Sequence, residues 1–179
     1  MKESIFKSEI ANHLKAERKR KKLSLDATAK LTGVSKAMLG QIEREESSPT
    51  IATLWKIASG LNTSFSAFFA NEPALQSGER VFPEDERMKV NTIFPFQQDT
   101  SIEVFEITLL DHHQQMSSPH DIGIVEHVHV IRGKMKVYFD QQWHVLDAGE
   151  RIRFYSDQSH GYEAISETAV FHNIVSYPK

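Results

Sequence analysis

Two different hydrophobic periods divide the chain. Up to residue 70, apolar residues recur every three or four positions, as on one face of a helix, whereas from Val90 onward they alternate with polar residues, as in a strand. The stretch between them, NEPALQSGERVFPEDERMK, is polar, contains two prolines and has no helical stripe. The pattern predicts a helical domain over residues 1–70, a linker over residues 71–89 and an all-β domain over residues 90–179.

Five helices are predicted in the helical domain, which is called the head below. The first ends in the basic run AERKRKK, and the next three lie in SLDATAKLTG, SKAMLGQIERE and SPTIATLWKIASGL. A fifth, short helix is predicted in SFSAFFA. The apolar residues that mark the first helix are Ile5, Ile10, Leu14 and Leu23. The N-caps of the next three are Ser24, Ser35, and either Ser48 or Thr50.

The second and third predicted helices follow each other almost without a break. Only Gly33 and Val34 separate them, and a glycine there supplies the left-handed residue that ends a helix. The apolar face of the second helix is assigned to Leu25, Ala29 and Leu31, and that of the third to Met38, Leu39 and Ile42. Two short helices joined by a glycine turn and held by flanking helices form a helix-turn-helix.

The second part of the chain reads as short strands. Segments rich in β-branched and aromatic residues are separated by Gly, Asp and Ser turns at intervals near ten residues, which is typical of an all-β sandwich or barrel. These segments are SIEVFEITLL, IVEHVHVI, KMKVYFD, WHVLDAG, ERIRFYS and ETAVFHNIVSYP. The fold class predicted for the whole chain is therefore α+β in two domains, a five-helix all-α head followed by an all-β domain.

The net charge of −3 conceals an asymmetry between the two parts. Residues 1–70 carry 12 Lys and Arg against 7 Asp and Glu, whereas residues 71–179 carry 9 against 17. A basic head joined to an acidic remainder indicates that the head meets a polyanion and the β domain does not. Charge clusters are also commonly no more than solvated faces, so charge alone does not decide the matter.

Cysteine and hydropathy restrict the compartment. The chain contains no Cys, which excludes disulfides and thiolate zinc sites and suits a reducing environment. No apolar run approaches the roughly 20 residues that span a bilayer. The N-terminal segment MKESIFKSEIANHL lacks the apolar core of a signal peptide. We expect a cytoplasmic protein without a membrane partner.

Residues 8–70 resemble the DNA-binding domains of the lambda-repressor-like, or XRE, class. The resemblance rests on LKAERKRKKLSLDATAKLTGVSKAMLGQIEREESSPTIATLWKIASGLN, in which Ala29, Gly33, the Ser35 cap and the segments QIERE and SPT stand at the spacing of the class. In that class the third helix enters the major groove of double-stranded operator DNA. The resemblance implies sequence-specific DNA binding, with the two heads of a homodimer reading half-sites about one helical turn apart.

The same resemblance assigns DNA contacts residue by residue. Ser35 would lie on a phosphate, while Lys36, Ala37 and Gln41 would face the bases. Lys36 can donate to guanine acceptors, and Gln41 can pair with adenine. The densest basic run of the head is the candidate for further phosphate contacts, through Lys19, Lys21 and Lys22. The class also has an ion pair between the first and third helices, at Arg18 and Glu43, which we expect to stabilise the head.

Residues 90–179 resemble a cupin, a double-stranded β-helix barrel. PHDIGIVEHVHVIRGKMKV has the order His, Gly, Glu, Val, Gly of the first cupin motif, and GERIRFYSDQSHGYEA matches the second through Gly149, Phe154, Asp157 and His160. Together the two parts resemble the XRE-cupin regulators, in which a DNA-binding head is fused to a small-molecule-sensing barrel. The implied effector is an amino acid or a similarly small polar metabolite, since a small barrel suits nothing larger.

The cupin resemblance also implies a set of metal ligands. A metal-binding cupin usually offers two histidines and a glutamate from the first motif and a histidine from the second. Ser118 stands where the first histidine would be, which leaves His120, Glu126 and His160. Two imidazole nitrogens and a carboxylate oxygen suit a divalent ion with an open position, zinc first and iron or nickel next. The alternative is a metal-free barrel in which these groups hydrogen-bond the effector directly.

Alternation along IVEHVHVI separates the other two histidines of this segment from the set. Glu126 shares a strand face with Val128 and Val130, whereas His127 and His129 share the opposite face. If Glu126 points into the barrel, the two histidines point away from it. We expect His127 and His129 to be packed or interfacial residues.

Three functions remain open at this point. The first is a transcriptional regulator in which effector binding in the barrel changes how a pair of heads meets operator DNA. The second is a cupin enzyme, a metal-dependent oxygenase or isomerase, that carries a DNA-binding domain. The third is a cupin that serves only for dimerisation. The basic head favours the first or third, and the incomplete four-ligand set disfavours the second.

Overall fold

The head is helical in the computed structural model, which describes residues 2–69 and 86–178. Residues 70–85, most of the predicted linker, lie outside the described residues, so the domain boundaries stay a prediction. None of the described helices combines the length and the apolar character that crossing a bilayer requires. The helical elements are α1 (Lys2–Arg20), α2 (Leu25–Thr32), α3 (Lys36–Glu43), α4 (Ile51–Gly60) and a 3-10 turn (Ser66–Phe69).

The predicted caps start the helices as expected. The hydroxyl of Ser24 accepts the Ala27 N–H at 3.1 Å and starts α2, and the hydroxyl of Ser35 accepts the Met38 N–H and starts α3. Gly33 ends α2 at φ 67°, the left-handed conformation that the turn requires. The cap of α4 is Thr50, one of the two residues left open by the sequence.

Three details of the head differ from the sequence prediction. The segment assigned to a fifth helix forms only the 3-10 turn, so a count of five α-helices is not confirmed. Leu23 follows the end of α1 and packs against the core from the loop. Leu31 is 56% exposed, because it lies about 120° around α2 from Leu25 and the helix buries Thr28 and Thr32 instead.

Nine strands within the described residues form the all-β part, which is called the barrel below. Every pairing between them is antiparallel. One sheet has the order β1-β2-β9-β4-β7 and the other β3-β8-β5-β6. The strands are β1 (Met88–Gln97), β2 (Ile102–Leu110), β3 (Gln114–Ser117), β4 (Val125–Arg132), β5 (Lys134–Phe139), β6 (Gln142–Asp147), β7 (Arg151–Tyr155), β8 (His160–Ala164) and β9 (Thr168–Ser176).

The glycine that closes the first cupin motif has a steric reason. Gly133 joins β4 to β5 at φ 81°, a conformation that residues with a side chain rarely adopt. A Cβ at this position would lie 2.2 Å from the carbonyl oxygen of Thr168. The turn therefore brings the end of β4 against the start of β9 only with glycine.

The head packs directly on the barrel. The rings of Trp55 on α4 and Phe65 stack at 4.2 Å between centroids, and both meet the edge of Phe105 on β2. Glu103, on the same strand and fully buried, accepts the backbone N–H groups of Phe65 at 3.3 Å and Ser66 at 3.1 Å. Its carboxylate also accepts the hydroxyl of Tyr177. One continuous core thus joins the two parts.

Candidate DNA interface and metal centre

The third helix presents its predicted base-reading residues to solvent. Lys36, Ala37 and Gln41 are exposed on α3, whereas Leu39 and Ile42 are buried on its opposite side. The Lys36 ammonium lies 2.8 Å from a carboxylate oxygen of Asp26. Because both side chains of this pair are more than half exposed, it stabilises little and can exchange for a base or phosphate.

An ion pair fixes the end of α1 against the end of α3. The guanidinium of Arg18 donates from two nitrogens to the two carboxylate oxygens of Glu43, at 2.6 and 2.9 Å, and also to the Leu23 carbonyl at 3.0 Å. The hydrogen bond to Glu43 raises the pKa of Arg18. This confirms the predicted pair and places the basic run that follows Arg18 beside the C-terminal end of α3. That run contains Lys19, Lys21 and Lys22.

The three predicted metal ligands meet inside the barrel. His120 lies in the loop before β4, Glu126 is the second residue of β4, and His160 opens β8. The Nε2 atoms of His120 and His160 lie 3.1 and 3.3 Å from the same oxygen of Glu126, Oε1. The side chains of Glu126 and His160 are each 1% exposed. Sequence positions up to 40 residues apart thus form one buried cluster.

The other oxygen of Glu126 has neighbours of its own. Oε2 accepts the hydroxyl of Tyr162 and, at 2.7 Å, the amide of Asn173. Both groups are buried and come from the two different sheets, Tyr162 from β8 and Asn173 from β9. They hold the carboxylate so that only Oε1 faces the two imidazoles.

The contact between Nε2 of His160 and Oε1 of Glu126 is favourable only with a cation, either a proton or a metal ion, between the two atoms. Nδ1 of His160 donates to the Gln158 carbonyl at 2.8 Å, so a neutral His160 carries its lone pair on Nε2. That lone pair faces the Glu126 oxygen, and two acceptors in contact repel unless a proton or a metal ion lies between them. Burial lowers the pKa of His160, but the charge of Glu126 and the hydrogen bonds to Glu126 and the Gln158 carbonyl together outweigh it, and the pKa is raised.

Glu126 responds to the same neighbours in the opposite sense. Burial alone would raise the pKa of Glu126, but the charges and hydrogen bonds of His160 and His120 together outweigh it, and the pKa lies well below its ordinary value. The carboxylate is therefore ionised in the barrel. An ionised oxygen and two imidazole nitrogens are ligands that zinc, iron and nickel share.

The spacing of the three ligand atoms also fits such an ion. All three lie within 4.8 Å of one another. Two atoms that each bind a tetrahedral zinc at about 2.0–2.1 Å stand roughly 3.3 Å apart, close to the separations from Glu126 to the two histidines. A shift of the His120 and His160 rings would bring both Nε2 atoms and the Glu126 oxygen to binding distance of a single ion. The residues present thus fit a divalent metal with an open position.

Two residues of the head complete the surroundings of His120. The hydroxyl of Ser59 lies 2.7 Å from Nδ1 of His120, and the ring of Trp55 stacks on the imidazole at 5.4 Å between centroids. Ser59 and Trp55 are four residues apart and therefore share one face of α4. Sequence reasoning missed both, because nothing in the local pattern of α4 points to a loop 61 residues away.

The other histidines of β4 lie outside this cluster. His127 and His129 stand opposite Arg153 and Arg151 in the pairing of β4 with β7. All four line a groove on the outer face of the five-stranded sheet, together with apolar residues such as Ile174. Among the described residues, the cluster of candidate ligands does not include either histidine.

Free space differs sharply between the barrel and its boundary with the head. Beside the cluster, the barrel interior holds a space of only about 10 Å³. A cavity of about 320 Å³ lies instead between the end of α2, α4 and the loop that carries His120. A helix-turn-helix that packs on a cupin barrel, with a buried ligand cluster touching both, defines a two-domain DNA-binding regulator.

Known proteins share this organisation. The helix-turn-helix family HTH_3 matches residues 14–68. The HTH-type transcriptional regulator SutR of Escherichia coli (strain K12) is 42% identical over 172 residues, which cover 95% of this chain and 96% of SutR. The chain belongs to the XRE-type helix-turn-helix transcriptional regulators with a C-terminal cupin domain.

Two solved structures agree with the fold of each part. The crystal structure of an HTH_3 family transcriptional regulator from Vibrio cholerae is 69% identical, covers 99% of both chains and superposes with a TM-score of 0.94. The Cupin_2 domain of an XRE family transcriptional regulator from Enterobacter cloacae is 32% identical and superposes with a TM-score of 0.51, over 52% of this chain and all of that one. The first comparison includes the packing of head on barrel.

Proposed function

We propose that this transcriptional regulator binds a divalent metal in its barrel, and that metal binding changes the position of the DNA-binding head through α4. The observation that carries the proposal is the contact between Nδ1 of His120 and the hydroxyl of Ser59. When a metal is held by Nε2 of a histidine, the other ring nitrogen carries a proton and donates it to an outer partner. In this chain that partner comes from the head.

The path from Ser59 to the helix-turn-helix is short. The next residue, Gly60, ends α4 so close to α2 that a Cβ there would lie 2.5 Å from the Cα of Thr32. Thr32 directly precedes Gly33, the turn before the recognition helix. Because the backbones of α4 and α2 are in contact at this point, a shift of α4 also moves the turn at Gly33. A bound metal would fix the orientation of the His120 ring through its positive charge. Because Ser59 contacts that ring, the position of α4 in the head would change with it.

For the DNA side, we propose the contacts that the family resemblance implies. Ser35 would meet a phosphate, and Lys36, Ala37 and Gln41 would face base edges in the major groove. Their exposure on α3 supports this assignment. Since the head acts on DNA, we place the protein in the cytoplasm, without a membrane partner.

Substitution of the base-reading residues tests this arrangement. Lys36→Ala or Gln41→Ala leaves the core intact, since both side chains are exposed, and should each cost about 1–3 kcal/mol of affinity on an operator obtained by in vitro selection. Lys19→Ala, Lys21→Ala or Lys22→Ala should weaken binding to all DNA similarly and reduce the dependence on salt. Fluorescence anisotropy over a salt series measures both. A loss of only non-specific affinity in the Gln41 variant would remove its base-reading role.

We further propose a homodimer that holds one metal per subunit. One head contacts few bases, so two should bind a pseudo-palindrome. The apolar groove on the outer face of the five-stranded sheet, lined by Ile102, Ile152 and Ile174, supports the barrel as the dimer surface. Native mass spectrometry with metal analysis should find two subunits and two divalent ions, zinc first and iron or nickel next. A metal-free monomer at micromolar concentration would contradict both parts.

The barrel is proposed to sense and not to catalyse. The space of about 10 Å³ that the described residues leave beside buried Glu126 and His160 is too small for an organic substrate and supports this proposal. Assays for oxygen uptake with added iron and candidate substrates should therefore show no turnover. The same measurement separates this function from that of a cupin oxygenase carrying a DNA-binding domain.

A further inference from the structure

The cavity between the head and the barrel has the size of a metabolite site. Its volume is about 320 Å³, at the lower end of the range for small-molecule pockets. The end of α2 and α4 line it on the side of the head, and residues 117–121 line it on the side of the barrel. A small effector that cannot enter the filled barrel fits here, in contact with the loop of His120.

The charge of the cavity wall selects an anion. Lys30 on α2 and Lys56 on α4 both line the cavity, and among the described residues neither ammonium has an ion-pair partner. Asp121 is the single acidic residue among the described ones on the wall. Hydroxyl groups add hydrogen-bond donors, from Ser59, Ser117 and Ser118. Two cations facing a partly enclosed space attract a carboxylate or a similar oxyanion.

Apolar side chains on the same wall indicate that the anion is organic. Leu31 lies outside the core of the head, on the cavity wall. Its exposed side chain is therefore available to contact a ligand. Trp55 and Pro119 line the cavity as well. A carbon skeleton beside these groups removes apolar surface from water, whereas an inorganic oxyanion does not.

We propose that this cavity binds a small organic carboxylate, with its charged group on Lys30 and Lys56 and its carbon skeleton against Leu31, Trp55 and Pro119. The assignment deepens the proposed function, on which it rests, by naming the class of effector and its place. The site is formed jointly by the head and the barrel.

Binding at this place is linked to the presentation of the recognition helix. Thr32 and Gly33, the turn that precedes α3, line the cavity on one side, and His120 lines it on the other. A ligand in contact with both favours the arrangement in which the head and the loop fit around it. The carboxylate and the metal thus act on the same contact region between the barrel and the head, the loop of His120 and α4.

Fluorescence of Trp55 reports directly on the cavity. The chain has two tryptophans, and Trp143, which contacts Lys136 on the barrel, is removed by Trp143→Phe. The sodium salts of acetate, pyruvate, succinate and benzoate are titrated at ionic strength matched with sodium chloride, with acetamide as the neutral control. At least one carboxylate should give a saturable change, and acetamide should give none.

Lysine variants decide whether the response comes from this cavity. In the same background, Lys30→Gln and Lys56→Gln should each weaken the response about tenfold, the effect of losing one charged contact, and the double variant should abolish it. Lys89→Gln, at an exposed lysine on β1 outside the cavity, should leave it unchanged. Thermal melting of each unliganded variant confirms that the fold is retained; if the double variant does not fold, the single variants decide.

The proposal is overturned if no carboxylate gives a saturable response, if acetamide gives the same response, or if the lysine variants respond like the parent. Metal content and zinc-dependent operator binding are measured on the same samples. A protein that keeps zinc-dependent operator binding without a carboxylate response overturns this assignment alone. A protein that loses the zinc dependence but keeps the carboxylate response overturns the proposed function alone.

Discussion

Substitution of His120 or His160 by Ala is expected to abolish stoichiometric metal binding. Each change removes one of the three proposed ligands, and it leaves Glu126 without one of the two imidazoles that face its Oε1 atom. Loss of an outer partner of a ligand typically costs 10–100-fold in metal affinity, so loss of a ligand itself should cost about 100-fold or more. Titration with zinc against a competing chelator measures the change.

The two histidines of β4, which lie outside the cluster, provide the matched control. His127→Ala and His129→Ala remove the same kind of side chain from β4, but from its outer face, and should leave metal affinity unchanged. The head should still bind DNA in all four variants, because the recognition helix is untouched. Full metal occupancy in the double variant His120→Ala, His160→Ala would show that the metal is held elsewhere.

Substitution of Glu103 by Ala is expected to give the largest loss of stability. The carboxylate is fully buried and is the acceptor for two backbone N–H groups of the head and for the hydroxyl of Tyr177. Each buried donor left without a partner costs about 1–3 kcal/mol, so the free energy of unfolding should fall by about 3–5 kcal/mol. Glu103→Gln keeps one acceptor oxygen and should lose less. Unfolding in urea, followed by circular dichroism, measures both.

A second glutamate of the same strand serves as the control for this prediction. Glu106 lies on the other face of β2 and is partly exposed, and its ion-pair contact among the described residues is a long one, 3.7 Å to His172. Glu106→Ala should change the free energy of unfolding by no more than about 0.5 kcal/mol. Equal, small losses in the Glu103 and Glu106 variants would mean that the head does not depend on the barrel for its anchorage.

Local chemistry made the helix-turn-helix predictable from sequence. The Ser24 and Ser35 caps and the left-handed Gly33 each depend on residues within four positions, and all three are present in the structure. The apolar pattern predicts the wrong face for Leu31, because its position on the helix, about 120° from Leu25, outweighs its hydrophobicity. The hydroxyls of Thr28 and Thr32, satisfied by carbonyls one turn earlier, occupy the buried face instead.

Strand prediction succeeded where alternation was strong and failed where it was weak. The six predicted segments contain strands, whereas three strands lie outside them: the ten-residue β1, and two short strands, β3, a four-residue polar segment, and β8, five residues long with a glycine. Neither has enough alternating residues to stand out. The second of them nevertheless matters for the site, since β8 supplies His160 and Tyr162.

Two sequence motifs predict His120, Glu126 and His160 as ligands, and the structure brings the three together, but their surroundings were not predictable. Glu103 and Asn173 each interrupt an otherwise apolar face, on β2 and β9, and that interruption was a readable signal of a buried polar role. Ser59 had no such signal. Its contact with His120 exists only because the head packs on the barrel, which no local pattern encodes.

The effect of zinc on operator affinity in the Ser59→Ala variant tests the central claim most directly. Anisotropy with a selected operator is recorded for the chelated and the zinc-loaded protein, in the parent chain and in Ser59→Ala. Zinc should change the operator affinity of the parent, and it should change that of Ser59→Ala little once the zinc concentration compensates for a roughly 10–100-fold weaker site. A zinc effect of equal size in both proteins, or none in the parent, would contradict the coupling of the metal to the head through Ser59.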